Sequence, residues 1–391
     1  MQSLKDKVAI VGVGCTKFGE RFDTGFSDLL IESVKEACED AGVAPRDLEA
    51  AWLGSFRPWF AGERNTGSPL AEAMGWVNKP ITLVSNICAT GMDALRNACL
   101  GVASGVYDLV LAVGVEKMRD LGSRSLSETN RSEGHPFLGK GRTAPGFFAM
   151  CANRYMHTYG VQREVLAQVA VKNHRHGAKN PKAHFQREIT LEQVLKAPMV
   201  AEPLGVLDCC PTTDGSAAAI VTRPEIARRM RSDYILVKGI GLAVSTERNI
   251  FDPDYDFLGF PPTKAAGQSA YDQAGIRNPR EELDLAIVHD CFSITEILIY
   301  EDLQFAPRGE GWRLITEGVT TMEGDLPVNT DGGLKSFGHP IGASGLRMVY
   351  EVTKQLQGKS GERQVKGAEL ALAHNLGGPG ALACVGIFGT A

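Results

Sequence analysis

A chain of 391 residues with 43% hydrophobic and 22% charged residues exceeds what one hydrophobic core usually serves, so two domains or two fused halves are expected. Its net charge of -5, from 41 basic and 46 acidic residues well mixed along the sequence, offers no basic face and argues against nucleic acid or anionic lipid as a partner. No stretch approaches the roughly 18 to 20 apolar residues that span a bilayer, and the N-terminal run lacks a signal-peptide cleavage site, so no membrane and a cytoplasmic location are expected.

In chain order, a short β-branched run at 8–13 predicts a first strand, and apolar residues spaced by three and four predict a helix over 29–41. A strand at 50–54 follows, then a helix with Met92, Leu95, Cys99 and Val102 on one face, then a strand at 109–115. About a hundred residues with helical stretches and weak strand signal separate this strand from the next, at 217–222. Rich in Arg, Lys, His and aromatics, that segment reads as an insertion, either a set of binding loops on a rigid scaffold or a structural arm. Strands at 234–239, 283–288, 369–373 and 381–388 and a helix over 346–356 complete the chain. The alternation predicts an α/β architecture of parallel strands joined by crossover helices.

The order of elements repeats, and so do some residues. Ala37-Cys-Glu-Asp-Ala-Gly-Val43 is matched 233 residues later by Ala270-Tyr-Asp-Gln-Ala-Gly-Ile276, and Ala89-Thr-Gly-Met92 is matched 254 residues later by Ala343-Ser-Gly-Leu346. Repeats of this size read as a duplicated α/β domain. The expected division is an N-terminal half at 1–118, an inserted loop domain at 119–206, the end of the first half at 207–232 and a C-terminal half at 233–391.

Four segments carry reactive residues. In Ser85-Asn-Ile-Cys88-Ala-Thr-Gly91 a cysteine falls between a short strand-like segment and a helix that opens with small residues. A helix N-terminus is expected to lower its thiol pKa and favour the nucleophilic thiolate. Gly338-His339-Pro340 sits ahead of the partner helix of the repeat, so a pseudo-twofold arrangement brings Cys88 and His339 together as nucleophile and base. His289-Asp-Cys291-Phe292 lies just past a predicted strand, where ligands gather in parallel sheets; a cysteine near neutral pKa there can move an α-proton. The glycines of His374-Asn-Leu-Gly377-Gly-Pro-Gly380 permit close backbone approach and an oxyanion hole.

Other residues read as scaffold. The nine cysteines are odd in number and scattered, which fits reduced thiols. Cys209 and Cys210, and His174 and His176, lack companions at zinc-ligand spacing, so no metal is expected. The aromatic segment Phe56-Arg-Pro-Trp-Phe60, with Phe147 and Phe148, reads either as core or as the lining of a roomy acyl pocket in which Arg57 pairs a carboxylate. Lys140, Arg142 and Arg154 read either as phosphate contacts or as solvated surface.

Taken together, the four segments resemble the thiolase superfamily along essentially the whole chain. The His289-Asp-Cys291-Phe292 motif is similar to that of the sterol-carrier-protein-type branch and of archaeal and bacterial acetoacetyl-CoA thiolases, where most thiolases carry Asn-Glu-Ala-Phe. Those others also carry a Cys-x-Gly motif where this sequence has Asn375-Leu-Gly377. The resemblance implies two βαβαβαββ halves in five αβαβα layers with an inserted loop domain. It implies that Cys88 is acylated, that His339 activates it and helps bind the thioester oxygen, that Cys291 shuttles the α-proton, that His289 sits where an asparagine otherwise holds an oxyanion-hole water, and that the backbone N–H groups of Cys88 and Gly377 form a second oxyanion hole. Further implications are reversible cleavage or formation of a 3-oxoacyl-CoA, coenzyme A as co-substrate with no permanently bound cofactor, and a homodimer or tetramer. Some of the branch also use a small zinc-ribbon and OB-fold subunit. Acetoacetyl-CoA and a bulky substrate such as benzoylsuccinyl-CoA are the two substrate expectations. The alternatives are a related acyltransferase or carbon-carbon lyase with a non-CoA acceptor, and a non-catalytic scaffold or lipid-binding subunit.

Overall fold

A computed structural model of the chain describes residues 3–121, 143–246, 252 and 254–391. The first half runs β1 (Ala9–Cys15), α1 (Phe26–Ala41), β2 (Ala50–Gly54), β3 (Ile81–Val84), α2 (Thr90–Ala103) and β4 (Leu109–Glu116). Two helices, α3 (Ala144–Tyr159) and α4 (Arg163–Gly177), and a small hairpin of β5 (Met199–Ala201) and β6 (Leu204–Gly205) precede its last strand, β7 (Gly215–Thr222). The second half repeats the plan with β8 (Ile235–Val244), α5 (Pro261–Ala274), β9 (Leu285–Ile287), α6 (Ser293–Asp302), α7 (Ser344–Leu356), β10 (Leu370–Gly377) and β11 (Leu382–Thr390).

Strand order exposes the duplication. The large sheet reads β3-β2-β4-β7-β1-β8-β11-β10-β9, so each half runs inward from its crossover strands to its return strand and then its first strand. The place of β3 in the second half is taken by Val328, which bridges Ala286 of β9 in parallel. Along the sheet the halves are joined where Ala9 pairs with Leu236 and Ile10 with Ile235, with Val237 bonded to Val8 and Asp6 beside them. The main union is through helices: α7 packs on β9, β10 and β11 and also on β1, β4 and β7, while α2 packs on β2, β4, β7 and β11 and on α7 itself. These two helices form the middle layer, with α1 and α5 covering the outer faces, which is the expected five-layer α/β arrangement.

The all-parallel expectation needs correction. The pairs β2 with β3, β2 with β4, and β9 with β10 are parallel, but β7 and β11 run antiparallel to both of their neighbours. Each half therefore closes with a returning strand, and between β10 and β11 that return is one tight turn that needs no crossover helix.

Burial in the middle layer explains the polar residues of α7. Twelve of its 13 residues are buried, so its charges must be paired internally. The Arg347 guanidinium binds the Asp331 carboxylate, and Glu351 binds Arg363 at 3.1 Å.

Candidate functional site

The two middle-layer helices meet at their N-termini, and glycine permits it. A Cβ on Gly345 would lie 2.3 Å from the Met92 amide nitrogen, and one on Gly91 would lie 2.8 Å from the Gly342 carbonyl oxygen. The chain segments that lead into α2 and α7, carrying Cys88 and His339, are thereby held side by side. The predicted convergence is present: the Cys88 sulfur and one nitrogen each of His289 and His339 lie within 4.8 Å of one another. The two imidazoles stand nearly perpendicular, ring centres 5.2 Å apart.

The Cys88 turn is locally unusual. Ile87, a β-branched residue, has φ 47°, a left-handed conformation that persists only where its surroundings enforce it. Here the Thr90 hydroxyl donates to the Ile87 carbonyl at 2.6 Å and accepts from the Asn86 amide at 2.8 Å. The expected lowering of the Cys88 thiol pKa is not found. Burial pushes it up to about 12, the backbone N–H of Gly378 acts in the opposite direction, and the nearby Glu116 carboxylate raises it further. Desolvation outweighs the helix end, so a thiolate at neutral pH requires a base beside it.

His339 stands beside the thiol, one of its ring nitrogens within 4.8 Å of the Cys88 sulfur. Its Nδ1 lies 2.7 Å from the Ser344 hydroxyl, whose own proton is donated to the Pro340 carbonyl at 2.8 Å. The hydroxyl therefore accepts, Nδ1 carries the proton, and Nε2 keeps a free lone pair. Burial first, and the Arg347 charge second, hold this imidazole down to about 3. His289 is set by Asn375, whose side-chain N–H donates to Nδ1 at 3.2 Å, so its Nε2 carries the proton and faces away from that bond. Its pKa is well below the usual histidine value, through burial and then the neighbouring His339.

Cys291 also departs from expectation. Burial, then the neighbouring thiols Cys210 and Cys88, drive its pKa well above that of an ordinary cysteine, and the Thr295 hydroxyl lies 3.7 Å from its sulfur. Its loop is anchored through Asp290, which accepts from the backbone of Leu334 and Lys335 and from the Asn173 side chain at 2.7 Å. Cys291 and His339 thus hang from one buried carboxylate. Gly377 ends β10 opposite Leu382, and the N–H directed at the Cys88 sulfur belongs to the next residue, Gly378.

Sequence reading missed three contributors. Glu116 accepts from the amides of Phe56, Arg57 and Gly342 and from the Ser55 hydroxyl, and so ties the first half to the Gly342 loop. Asn375 lay inside a quoted motif without a role. Cys210, read as scaffold, enters because Cys209 bridges Phe292 and Thr212 bridges His339, and its own amide donates to the Cys291 carbonyl at 2.8 Å. Only contacts between segments far apart in sequence bring it there.

Other candidates do not gather here. His174 and His176 are buried with Nδ1 on the carbonyls of Arg187 and Asn329. Phe147 and Phe148 are core residues, Phe148 stacking on Phe292 at 4.6 Å, whereas Arg57 lies over Phe56, Trp59 and Phe60. Arg154 is exposed, and Lys140 and Arg142 lie outside the described residues. Among the described residues no helix is long and apolar enough to cross a membrane.

The duplicated fold brings a cysteine and two imidazoles together where its central helices meet. The chain belongs to the thiolase family: residues 8–225 match the family model for the thiolase N-terminal domain and residues 243–390 that for the thiolase C-terminal domain-like region. It is 41% identical to an acetyl-CoA acetyltransferase of Methanothermobacter thermautotrophicus, over 97% of this chain and 99% of that protein. Rat (Rattus norvegicus) sterol carrier protein 2 is 35% identical over 96% of this chain and 70% of its own length. Among solved structures, an Ltp2-ChsH2(DUF35) aldolase superposes with a TM-score of 0.84 at 28% identity, covering 99% of this chain and 98% of that one. The chain is an enzyme of the acyltransferase class.

Proposed function

We propose that this thiolase catalyses reversible, coenzyme A-dependent cleavage or formation of a 3-oxoacyl-CoA through an acyl intermediate on Cys88. The observation that carries this reading is the convergence of the Cys88 sulfur with His289 and His339 within 4.8 Å. In the cleavage direction, His339 Nε2 takes the Cys88 proton, and the sulfur attacks the 3-oxo carbonyl. The oxyanion forms beside the backbone N–H of Cys88 and the Gly377–Gly378 turn; one such donor contributes about 3 to 4 kcal/mol to the transition state. Carbon-carbon cleavage releases an enolate whose oxygen accepts hydrogen bonds from the Nε2–H of His289 and from the protonated His339. Cys291 delivers a proton to its α-carbon, and its raised pKa suits a donor to a strongly basic carbanion. The thiol of a second coenzyme A then takes the acyl group from Cys88.

Buried Phe147 and Phe148 favour a small acyl chain and hence acetoacetyl-CoA over benzoylsuccinyl-CoA. Coenzyme A acts as co-substrate, with no permanently bound cofactor, on a cytoplasmic homo-oligomer. A small second subunit is proposed by analogy with the neighbour named for its DUF35 component. That neighbour's name also supports a second reading, a carbon-carbon lyase with a non-CoA acceptor. One experiment separates the two. Wild-type enzyme given acetoacetyl-CoA and coenzyme A should form two acetyl-CoA and, on acid quench, carry an acetyl mass on the Cys88 peptide. Cys88→Ala should lose at least about 10⁴-fold in kcat. Full thiolysis by Cys88→Ala sinks the assignment.

A further inference from the structure

One sulfur and two imidazole nitrogens from three distant segments, at Cys88, His289 and His339, lie within 4.8 Å of one another. A tetrahedral zinc ion holds thiolate sulfur at about 2.3 Å and imidazole nitrogen at about 2.0 to 2.1 Å. Its ligand atoms then stand roughly 3.3 to 3.7 Å apart.

The outer partners also suit a metal. Metal-bound histidines are oriented by a hydrogen bond at the nitrogen that does not bind. His339 has Ser344 on Nδ1 at 2.7 Å, and His289 has Asn375 on Nδ1 at 3.2 Å. Both rings are thus held through Nδ1, leaving Nε2 as the ligand atom. The Asn375 carbonyl oxygen is buried without a hydrogen-bond partner. A half-turn of that amide sets the oxygen against Nδ1–H of His289 and frees the lone pair on Nε2 for a cation.

We propose that Cys88, His289 and His339 form a reversible inhibitory site for a borderline-soft divalent cation, zinc in preference to magnesium or calcium. Binding exchanges the Cys88 S–H bond for a sulfur-zinc bond and releases one proton to solvent, with no change of oxidation state. Both imidazoles coordinate in their neutral form. Three protein ligands leave a fourth position for water or an incoming thiol. Sulfur and thiolate softness select zinc over the hard cations, which prefer oxygen. With its nucleophile and both imidazoles occupied, the site is inert until the ion is removed. The inference does not rest on the acyl-transfer reading, since a chain of any activity with this geometry binds the ion.

The test uses the full-length, metal-free protein titrated with cobalt(II) as a spectroscopic stand-in and then with zinc. One equivalent per chain and a thiolate-to-cobalt charge-transfer band are expected, with zinc displacing cobalt. Thiolysis should fall in step with zinc and return on chelation. Cys88→Ser should abolish the band, and His289→Gln and Ser344→Ala should each weaken zinc by about 10- to 100-fold in chelator competition. Wild-type protein whose Cys88 has been alkylated with iodoacetamide should behave as Cys88→Ser does, which covers a variant that fails to fold. A band that survives either loss of Cys88, no band at all, or equal inhibition by magnesium overturns the proposal.

Discussion

The segments leading into α2 and α7 are copies of one ancestral plan, and they have come to differ in almost everything except position. The first carries a thiol on a backbone forced through positive φ at Ile87 and clamped by Thr90. The second carries a buried imidazole whose tautomer is fixed by Ser344 and Pro340. Duplication supplied two equivalent points that must meet, because Gly91 and Gly345 let the helices touch. The two points now carry a thiol and an imidazole, Cys88 and His339.

That division of labour can be broken from the imidazole side. His339→Gln keeps a side chain of similar reach but no base, and kcat for thiolysis should fall by about 10³-fold with KM changed far less. Ser344→Ala leaves the ring but not its fixed tautomer, and a loss nearer 10-fold is expected. Steady-state kinetics on both variants checks this; equal losses would show that Ser344 does more than orient the ring.

Acid should act on the imidazoles rather than on the thiol. His339, His374 and His176 are held down to about 3 and His174 to about 4, in each case mainly by burial. The unfolded chain takes up these protons from about pH 6.5. Their contribution to stability is therefore complete above pH 6.5 and is lost progressively as pH falls from there toward about 3. Each buried histidine lowers the unfolding free energy by up to about 1.4 kcal/mol per pH unit inside that window. Urea unfolding between pH 7.5 and 5 should register a drop of several kcal/mol, with a shallower slope in His374→Gln; an identical slope would contradict the assignment.

The smallest effect tests the helix contact itself. Gly345→Ala meets Met92 backbone at 2.3 Å and the Asn375 side chain at 2.4 Å, whereas Gly91→Ala meets its nearest atom at 2.8 Å. Both overpack the contact by about 1 to 3 kcal/mol, with Gly345→Ala the costlier. Because Asn375 orients His289, Gly345→Ala should also lower kcat. Thermal unfolding alongside kinetics would reveal a reversed ranking.

The repeat, the α/β alternation and the meeting of Cys88, His289 and His339 were legible in the sequence, because each rests on local spacing or on a motif. The antiparallel course of β7 and β11 was not, since hydrophobic runs do not encode direction. Nor was the state of the thiols: a helix end argues for a low pKa, but burial by segments hundreds of residues away reversed it at Cys88 and Cys291. Phe147 and Phe148 read as core or as pocket lining, and the structure buries both, with Phe148 stacked on Phe292.

By itself, then, the sequence determined which residue types stand at the ends of which elements, because periodicity, glycine placement and repetition are written in neighbouring residues. Tertiary structure decided which of them share a cavity, which nitrogen of each ring is free, and that Cys210, Glu116 and Asn375 belong beside them. Those outcomes depend on desolvation and on hydrogen bonds between distant segments, and neither exists until the two halves close on each other.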